Sequence, residues 1–386
     1  VIAFTNGFYN YHTDTLLPSI GDQTTFHYFD RPYKPHATEN EKEPWKTPLW
    51  DAETPKWKAM IMYQVKEQDV FDVLEIAIGR LFFPVGYDNW QIALFLKGLA
   101  ETAKSTIIEI ILAMFQSDDI AILAANMEAK FGLEPAHDKR LFACPDMPRD
   151  MARTLDQATL QSMISGENVP VPIKNKTAKP KVWWVAHLLF GSNYLPNYED
   201  AQGSVSRRLL VILFQIAVVI KDTSLKDNIV STELTTIMLR CIHKYKAFLA
   251  MHPGKSLLDY LPESMLQARQ DAKEELDRVR YFIMNGSEDF EIKKVLGKAT
   301  SIRAFEKVYK EYQTEKFGYP RVLKRDEYST INSCGYEVRT VYMCKECDLV
   351  HNIDNCKTHY DKANRRKKTM INNMMICDLN NCEEVK

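Results

Sequence analysis

Residues 98–106 read Gly98-Leu99-Ala100-Glu101-Thr102-Ala103-Lys104-Ser105-Thr106, close to the pattern G-x-x-x-x-G-K-[ST]. In such a loop, successive backbone N–H groups and a helix N-terminus cradle phosphates, the lysine neutralises the β- and γ-phosphates, and the hydroxyl reaches Mg²⁺. Lys104 and Ser105 take these places, with Thr106 beside them. Ala103 stands where the pattern has glycine, and its Cβ falls where the chain must approach a ligand closely. A plain Lys-Ser-Thr helix start is the competing reading. The flanking pattern favours phosphate chemistry, because a strand is expected before the loop and a helix after it.

Phosphate hydrolysis also needs an acid that holds the metal, a group that orients water, and a cation on the transferring phosphoryl group. Asp146 follows the apolar run Arg140–Cys144 and Pro145, although an acid before Met-Pro also suits a turn. Asn193 ends the apolar segment that begins at Trp183, where an amide can orient water or simply cap a turn. Arg207-Arg208 precede another apolar run, Leu209–Phe214; ion-paired surface arginines are the ordinary reading, and an arginine reaching a neighbouring subunit's phosphate is the functional one.

Two further clusters carry different chemistry. Cys344-x-x-Cys347, eight residues, then Cys356-x-x-His359 offers four N/S donors for a closed, structural zinc site. Cys334 and His351 are spare ligands, and Cys377 with Cys382 is a weaker second pair. The basic run Arg365-Arg366-Lys367-Lys368 suits phosphate contact, as do Lys174, Lys176 and Lys179 in a loop rich in lysine and proline; a solvated charged face is the alternative.

The elements that must position these residues follow from hydrophobic periodicity. Gln68–Phe83 has helical spacing, Trp90–Leu96 is strand-like, and Lys104–Phe115 is helical again. Short apolar stretches at Ile120–Ala124, Arg140–Cys144, Trp183–Phe190 and Leu209–Phe214 alternate with helical or loop patterns such as Arg153–Ile164, which predicts a parallel α/β sheet. The expected organisation is an irregular segment 1–57 with a turn at Asn6-Gly7, an α/β domain 58–225, a helical region 226–318, and a small Cys-rich, basic module 319–386. Within the helical region, Glu233–Met251, Glu263–Met284 and Ile302–Phe317 carry the period.

With 45% hydrophobic and 26% charged residues in 386, the chain has the composition of a folded globular protein. Its longest apolar run, Leu209–Ile220, falls short of the roughly 20 residues of a membrane span. A formal charge of −1 means that any nucleic-acid contact must come from local patches. Eight cysteines, four of them in Cys334–Cys356, point to reduced thiols, a metal site and a reducing compartment. A chain that starts at Val1 is expected to be cut from a longer one.

The order P-loop, acid, Asn, Arg pair resembles superfamily 3 helicases, an AAA+ ATPase class, and most of all the poxvirus-type primase-helicases of nucleocytoplasmic large DNA viruses. The resemblance covers about residues 60–225 by motif and the C-terminal region more loosely. It implies a homohexameric ring that hydrolyses ATP with Mg²⁺ between subunits and drives DNA through its pore. By position it implies a Walker A loop at Gly98–Thr106, Mg²⁺ held by Ser105 and Asp146, a sensor at Asn193, and a finger at Arg207 or Arg208. The lysines Lys174, Lys176 and Lys179 would sit on a pore hairpin that touches DNA. It further implies a separate primase part, other replication proteins as partners, no membrane, and replication sites in host cytoplasm. Ala103 in place of glycine, and a single Asp146 after Cys-Pro where the family has a Glu or an acidic pair after an apolar strand, depart from the family pattern. They point to the alternative of a degenerate ring that binds DNA without rapid turnover; a different P-loop NTPase is the third reading.

Overall fold

The structure, a computed structural model, describes residues 1–10, 13, 15–18, 21, 28–29, 32–33, 54–123, 133–148, 151–171, 181–196, 198, 203–318, 320, 322–323, 327–344, 365–378 and 383–384. The chain divides into two compact units, Val1–Leu276 and Asp277–Lys386.

In the first unit the strands β1 (Ile2–Phe4), β2 (Gly7–Asn10), β3 (Thr15–Leu17) and β4 (Tyr28–Phe29) form a small sheet in the order β3-β2-β1-β4. The expected turn at Asn6-Gly7 closes the β1–β2 hairpin, with Phe4 paired to Gly7. The Asn6 amide locks it by donating to Tyr33 O and accepting from Tyr33 N, at 2.9 and 2.7 Å. The beginning of the segment expected to be irregular is therefore a sheet.

Two helices follow, α1 (Pro55–Val65) and α2 (Gln68–Arg80), and then the strands β5 (Ala93–Gly98), β6 (Ile120–Ile122), β7 (Leu141–Cys144), β8 (Asn168–Pro170), β9 (Lys181–Trp183), β10 (His187–Ser192) and β11 (Leu209–Phe214). Helix α3 (Lys104–Leu112) links β5 to β6, and α4 (Gln157–Ser165) precedes β8. Five strands make one sheet in the order β11-β5-β10-β7-β6, parallel at every pairing. Strand pleat sends Leu94 and Leu96 into one core, shared with α2 and α3, and Ala93 and Phe95 into the other, shared with Phe142, Trp184 and Phe190. Burial on both faces explains why the strands read as continuous apolar runs. The unit ends with α5 (Leu225–Thr232), α6 (Leu234–Met251) and α7 (Glu263–Leu276). No helix of the described residues is long and apolar enough to cross a membrane.

A buried ionic network clamps α2 to α6. Glu75, fully buried, accepts from Trp57 Nε1 at 3.0 Å, from Lys244 Nζ at 2.6 Å and from Arg240 Nη2. Lys244 also donates to Asp72 at 2.6 Å, and Arg240 to Thr54 Oγ1 at 2.5 Å. Burial pushes the Glu75 carboxyl up, yet Lys244 and Arg240 outweigh it and hold it below the usual carboxylate range. Gly79 lets the two helices meet here, since a Cβ would come within 1.9 Å of Cys241 O.

At the start of β10, His187 Nε2 lies 2.8 Å from Phe83 O and Nδ1 lies 3.3 Å from Arg80 Nη1. The arginine can only donate, so Nδ1 accepts and the ring is neutral. Burial, reinforced by Arg80, pushes its pKa down to about 3. The unfolded chain therefore binds the extra proton between about pH 6.5 and 3, and stability falls across that window as the pH drops, by roughly 1.4 kcal/mol per unit. His187→Gln should flatten this part of the stability–pH curve in urea titrations; an unchanged slope would show that the ring is not held neutral.

The second unit comprises α8 (Arg278–Asn285), β12 (Phe290–Ser301), α9 (Ile302–Phe317), α10 (Tyr328–Ser333), β13 (Glu337–Cys344), β14 (Arg365–Asp378) and β15 (Glu383–Glu384). Its sheet runs β12-β14-β13, with β15 also paired to β14. Phe282, Phe305, Tyr309 and Tyr312 pack with Ile371, Met374 and Ile376 as its core. Two expectations change here. The helical region 226–318 is interrupted by β12, and the chain divides at 276/277 rather than near 318. A register shift between Lys294 and Ala299 breaks the alternation of β12, and with it the period-two signal of a strand. The expected helix over Glu263–Met284 is likewise two, α7 and α8, with Asp277 between them capping Arg280 N at 3.2 Å.

Candidate active site

Strand β5 lies between β11 and β10, and its loop emerges at the carboxyl edge of the sheet, where ligands of open α/β folds bind. Gly98 is required by packing, because a Cβ would meet Phe214 O at 1.7 Å. After it the chain turns through two left-handed residues, Glu101 (φ 61°) and Ala103 (φ 63°), before α3 begins at Lys104. Ala103 thus adopts the backbone that a glycine would adopt freely, at a cost of roughly 1–2 kcal/mol. Helix α3 is anchored by four isoleucines, Ile107, Ile108, Ile110 and Ile111, all fully buried, which fixes its N-terminus against the sheet. Ala103→Gly is expected to relieve the strain, to raise affinity for a fluorescent ATP analogue, and to leave thermal stability within about 1 kcal/mol; a loss of affinity would show that the methyl group belongs to the cradle.

Lys104 is buried, and its Nζ folds back into the loop. It donates to Gly98 O at 2.9 Å, to Leu99 O, to Thr102 Oγ1 at 3.2 Å and to Asn193 Oδ1 at 3.1 Å. Thr102 Oγ1 in turn donates to Leu99 O at 2.9 Å. Burial lowers the Lys104 pKa, and the nearby Asp146 carboxylate works against that. Asp146 stands exposed just past β7, two strands from β5. Ser192 Oγ braces this turn by donating to Met147 O at 2.7 Å, and Met147 N donates to Gly191 O at 2.7 Å. The Cys144 thiol behind Asp146 is pushed up to about 12, by burial first and then by that carboxylate, so it stays protonated and inert.

Lys104, Ser105, Thr106, Asp146 and Asn193 all line one cavity of about 970 Å³. Sequence reasoning missed its far wall. Gln64 of α1 makes a two-way pair with Ile216, Nε2 to O at 2.6 Å and N to Oε1 at 3.1 Å. This ties α1 to the loop after β11, whose Val218 N donates to Glu101 O at 2.9 Å. Lys221 donates to Glu101 Oε1 at 2.7 Å across the loop, which holds that exposed carboxyl below its usual range. The apolar run Leu209–Ile220 is thus two things, a buried strand and a cavity wall. Val219 and Ile220 are 89% and 88% exposed, and an apolar pair without strand pairing was the only signal of that wall.

The arginine pair lies elsewhere. Leu209, next after Arg208, pairs with Ala93 at the start of β5, whereas the loop follows Gly98 at its end. Arg207 and Arg208 therefore sit at the opposite edge, about 20 Å away for six-residue strands. Arg207 is exposed; Arg208 is buried and donates to Ser204 O at 2.6 Å and Gln91 Oε1 at 3.4 Å.

Several expected site residues lie outside the described residues: Lys174, Lys176, Lys179, Cys347, Cys356 and His359, with the spare ligands His351 and Cys382. Cys344, Arg365, Arg366, Lys367 and Cys377 are described as strand backbone only. Among the described residues no three His, Cys, Asp or Glu side chains form a metal-binding group.

Residues 96–208 match the model of a family of unknown function, DUF5906. No curated protein matches the chain. Among solved structures, the chain is similar to the apo C-terminal region of NrS-1, at 14% identity and a TM-score of 0.40 over 77% of this chain and 76% of that one. It is also similar to JCV helicase, at 14% identity and a TM-score of 0.31 over 71% of this chain and 67% of that one.

Proposed function

We propose that this chain is the ATP-driven motor of a DNA helicase of the superfamily 3 type, part of a viral primase-helicase and working as a ring. The observation that carries this reading is the convergence of Lys104, Asp146 and Asn193 on one cavity at the carboxyl edge of a five-stranded parallel sheet. The cavity has the volume of a small-molecule site, and the loop ends in a helix N-terminus suited to anions. Bound Mg-ATP supplies the phosphoanhydride whose cleavage drives the motor. Lys104 would leave its carbonyl partners to neutralise the β- and γ-phosphates, Ser105 and Asp146 would hold Mg²⁺, and Asn193 would orient water.

An arginine at the opposite sheet edge is of no use to its own site. The exposed Arg207 fits a role in trans, across a subunit interface, better than the internally bonded Arg208. Lys174, Lys176 and Lys179 as DNA contacts, and a structural zinc on Cys344, Cys347, Cys356 and His359 in a reducing compartment, complete the proposal on sequence alone. The strained Ala103 favours a second reading, a ring that binds DNA but hydrolyses slowly. ATP hydrolysis with and without single-stranded DNA decides between them: stimulation by DNA supports the motor, and DNA binding without turnover supports the second reading. A monomer with rapid, DNA-independent turnover would sink both.

A further inference from the structure

The segment that forms the far wall of the cavity touches the phosphate loop twice at one residue. Val218 N donates to Glu101 O at 2.9 Å, and Lys221 Nζ donates to the Glu101 carboxylate at 2.7 Å. Gln64 holds the near end of this segment through its two-way pair with Ile216. The backbone leading to Lys221 is therefore tied to the loop and to α1, while the lysine side chain ends at the cavity. Glu101, Lys221 and Lys104 all line that cavity.

A carboxylate is an unfavourable neighbour for a loop that takes phosphates, because like charges oppose each other at short range. Lys221 cancels the charge of Glu101, but the bond between them is easily given up. Both side chains are 61% exposed, and exposed ion pairs contribute little to stability. A lysine ammonium carries three donors and binds phosphate as a point charge, so a polyphosphate chain, with more negative charge than one carboxylate, competes for it.

We infer that Lys221 is a second phosphate-binding residue of the nucleotide site, held on Glu101 until a polyphosphate takes it over. The inference rests on the nucleotide reading above and adds to Lys104 a cation from the far wall of the same chain. Because Val218 keeps the segment at the loop, the exchange needs side-chain rotation and no movement of an element. Lys226 serves as an internal control, since it lines the same cavity but pairs with Glu109 in the body of α3, at 2.9 Å, rather than with the loop.

Titration of the full chain with fluorescent ATP and AMP analogues tests this. Lys221→Ala should weaken the triphosphate about tenfold and the monophosphate less than twofold, and Lys221→Arg should restore most of the loss. Glu101→Gln should tighten the triphosphate, since it removes the opposing charge and releases the lysine. Lys221 and Glu101 are exposed, so these variants are expected to melt with wild type. Combining Lys221→Ala with Glu101→Gln separates the two roles: a loss of about tenfold relative to Glu101→Gln alone is expected. No loss there would mean that the lysine merely neutralises Glu101, and would overturn the inference. So would weaker triphosphate binding by Glu101→Gln, or a loss in Lys226→Ala as large as that in Lys221→Ala, which would make the effect one of net charge. Triphosphate binding that Lys104→Ala abolishes and Lys221→Ala leaves intact would sink this inference alone. A wild-type chain that binds neither analogue would sink the nucleotide reading together with it.

Discussion

Lys104→Ala should abolish ATP hydrolysis, lowering turnover by at least 10²–10³-fold, the scale of losing one preorganised group on a developing oxyanion. Lys104 lines the cavity and is held inside its loop by Gly98 O, Leu99 O and Thr102 Oγ1, whereas Lys221 reaches that loop only through the exposed Glu101 carboxylate. Removing Lys104 also frees Asn193 Oδ1 from its 3.1 Å bond, so a parallel Asn193→Ala variant separates the two roles. Loss of the cation should weaken triphosphate binding as well as turnover. Loss of the amide should spare binding and lower turnover alone. Both are read by titrating an ATP analogue beside a phosphate-release assay. Unchanged turnover in Lys104→Ala would show that the loop is not a phosphate site.

The second large effect concerns the scaffold. Glu75→Ala should cost about 3–5 kcal/mol, because it strands Arg240 and Lys244 inside the protein without their shared carboxylate. At 1% and 4% exposure neither cation can reach water without opening the α2–α6 contact. Thermal melts should fall by roughly 10 °C, taking about 2–4 °C per kcal/mol for a unit of this size. Exchanging Asp72, Glu75, Arg240 and Lys244 together for apolar residues of similar volume should recover most of that loss, since Asp72, the buried partner of Lys244, is then not left as an unpaired charge. A single-variant loss below 1 kcal/mol would mean that water already reaches the cluster.

The strand–loop–helix that carries Lys104 is legible in the sequence, because the apolar run before Gly98 and the isoleucine-rich stretch after Lys104 are local signals. Four of the five strands of the main sheet are legible too, to within about three residues, since strands buried on both faces are continuous apolar runs. The strand at 187–192 was legible only as part of the longer stretch Trp183–Phe190. Not legible were the bulged β12 and the long β14, whose buried residues Ile371, Met374 and Ile376 do not keep one parity once the register shifts.

Which groups share a cavity depends on strand order in the sheet. Lys104 and Asn193 are separated by 89 positions, and their contact arises from β5 and β10 being neighbours, a pairing that no local pattern encodes. The far wall depends in the same way on Gln64 meeting Ile216. The placement of Arg207 at the opposite edge is a matter of strand direction: once β11 runs parallel to β5, the residues before one strand and those after the other must lie a full strand length apart. Local periodicity specifies elements, while their order in a sheet is set by burying both faces at once, which is a property of the whole chain.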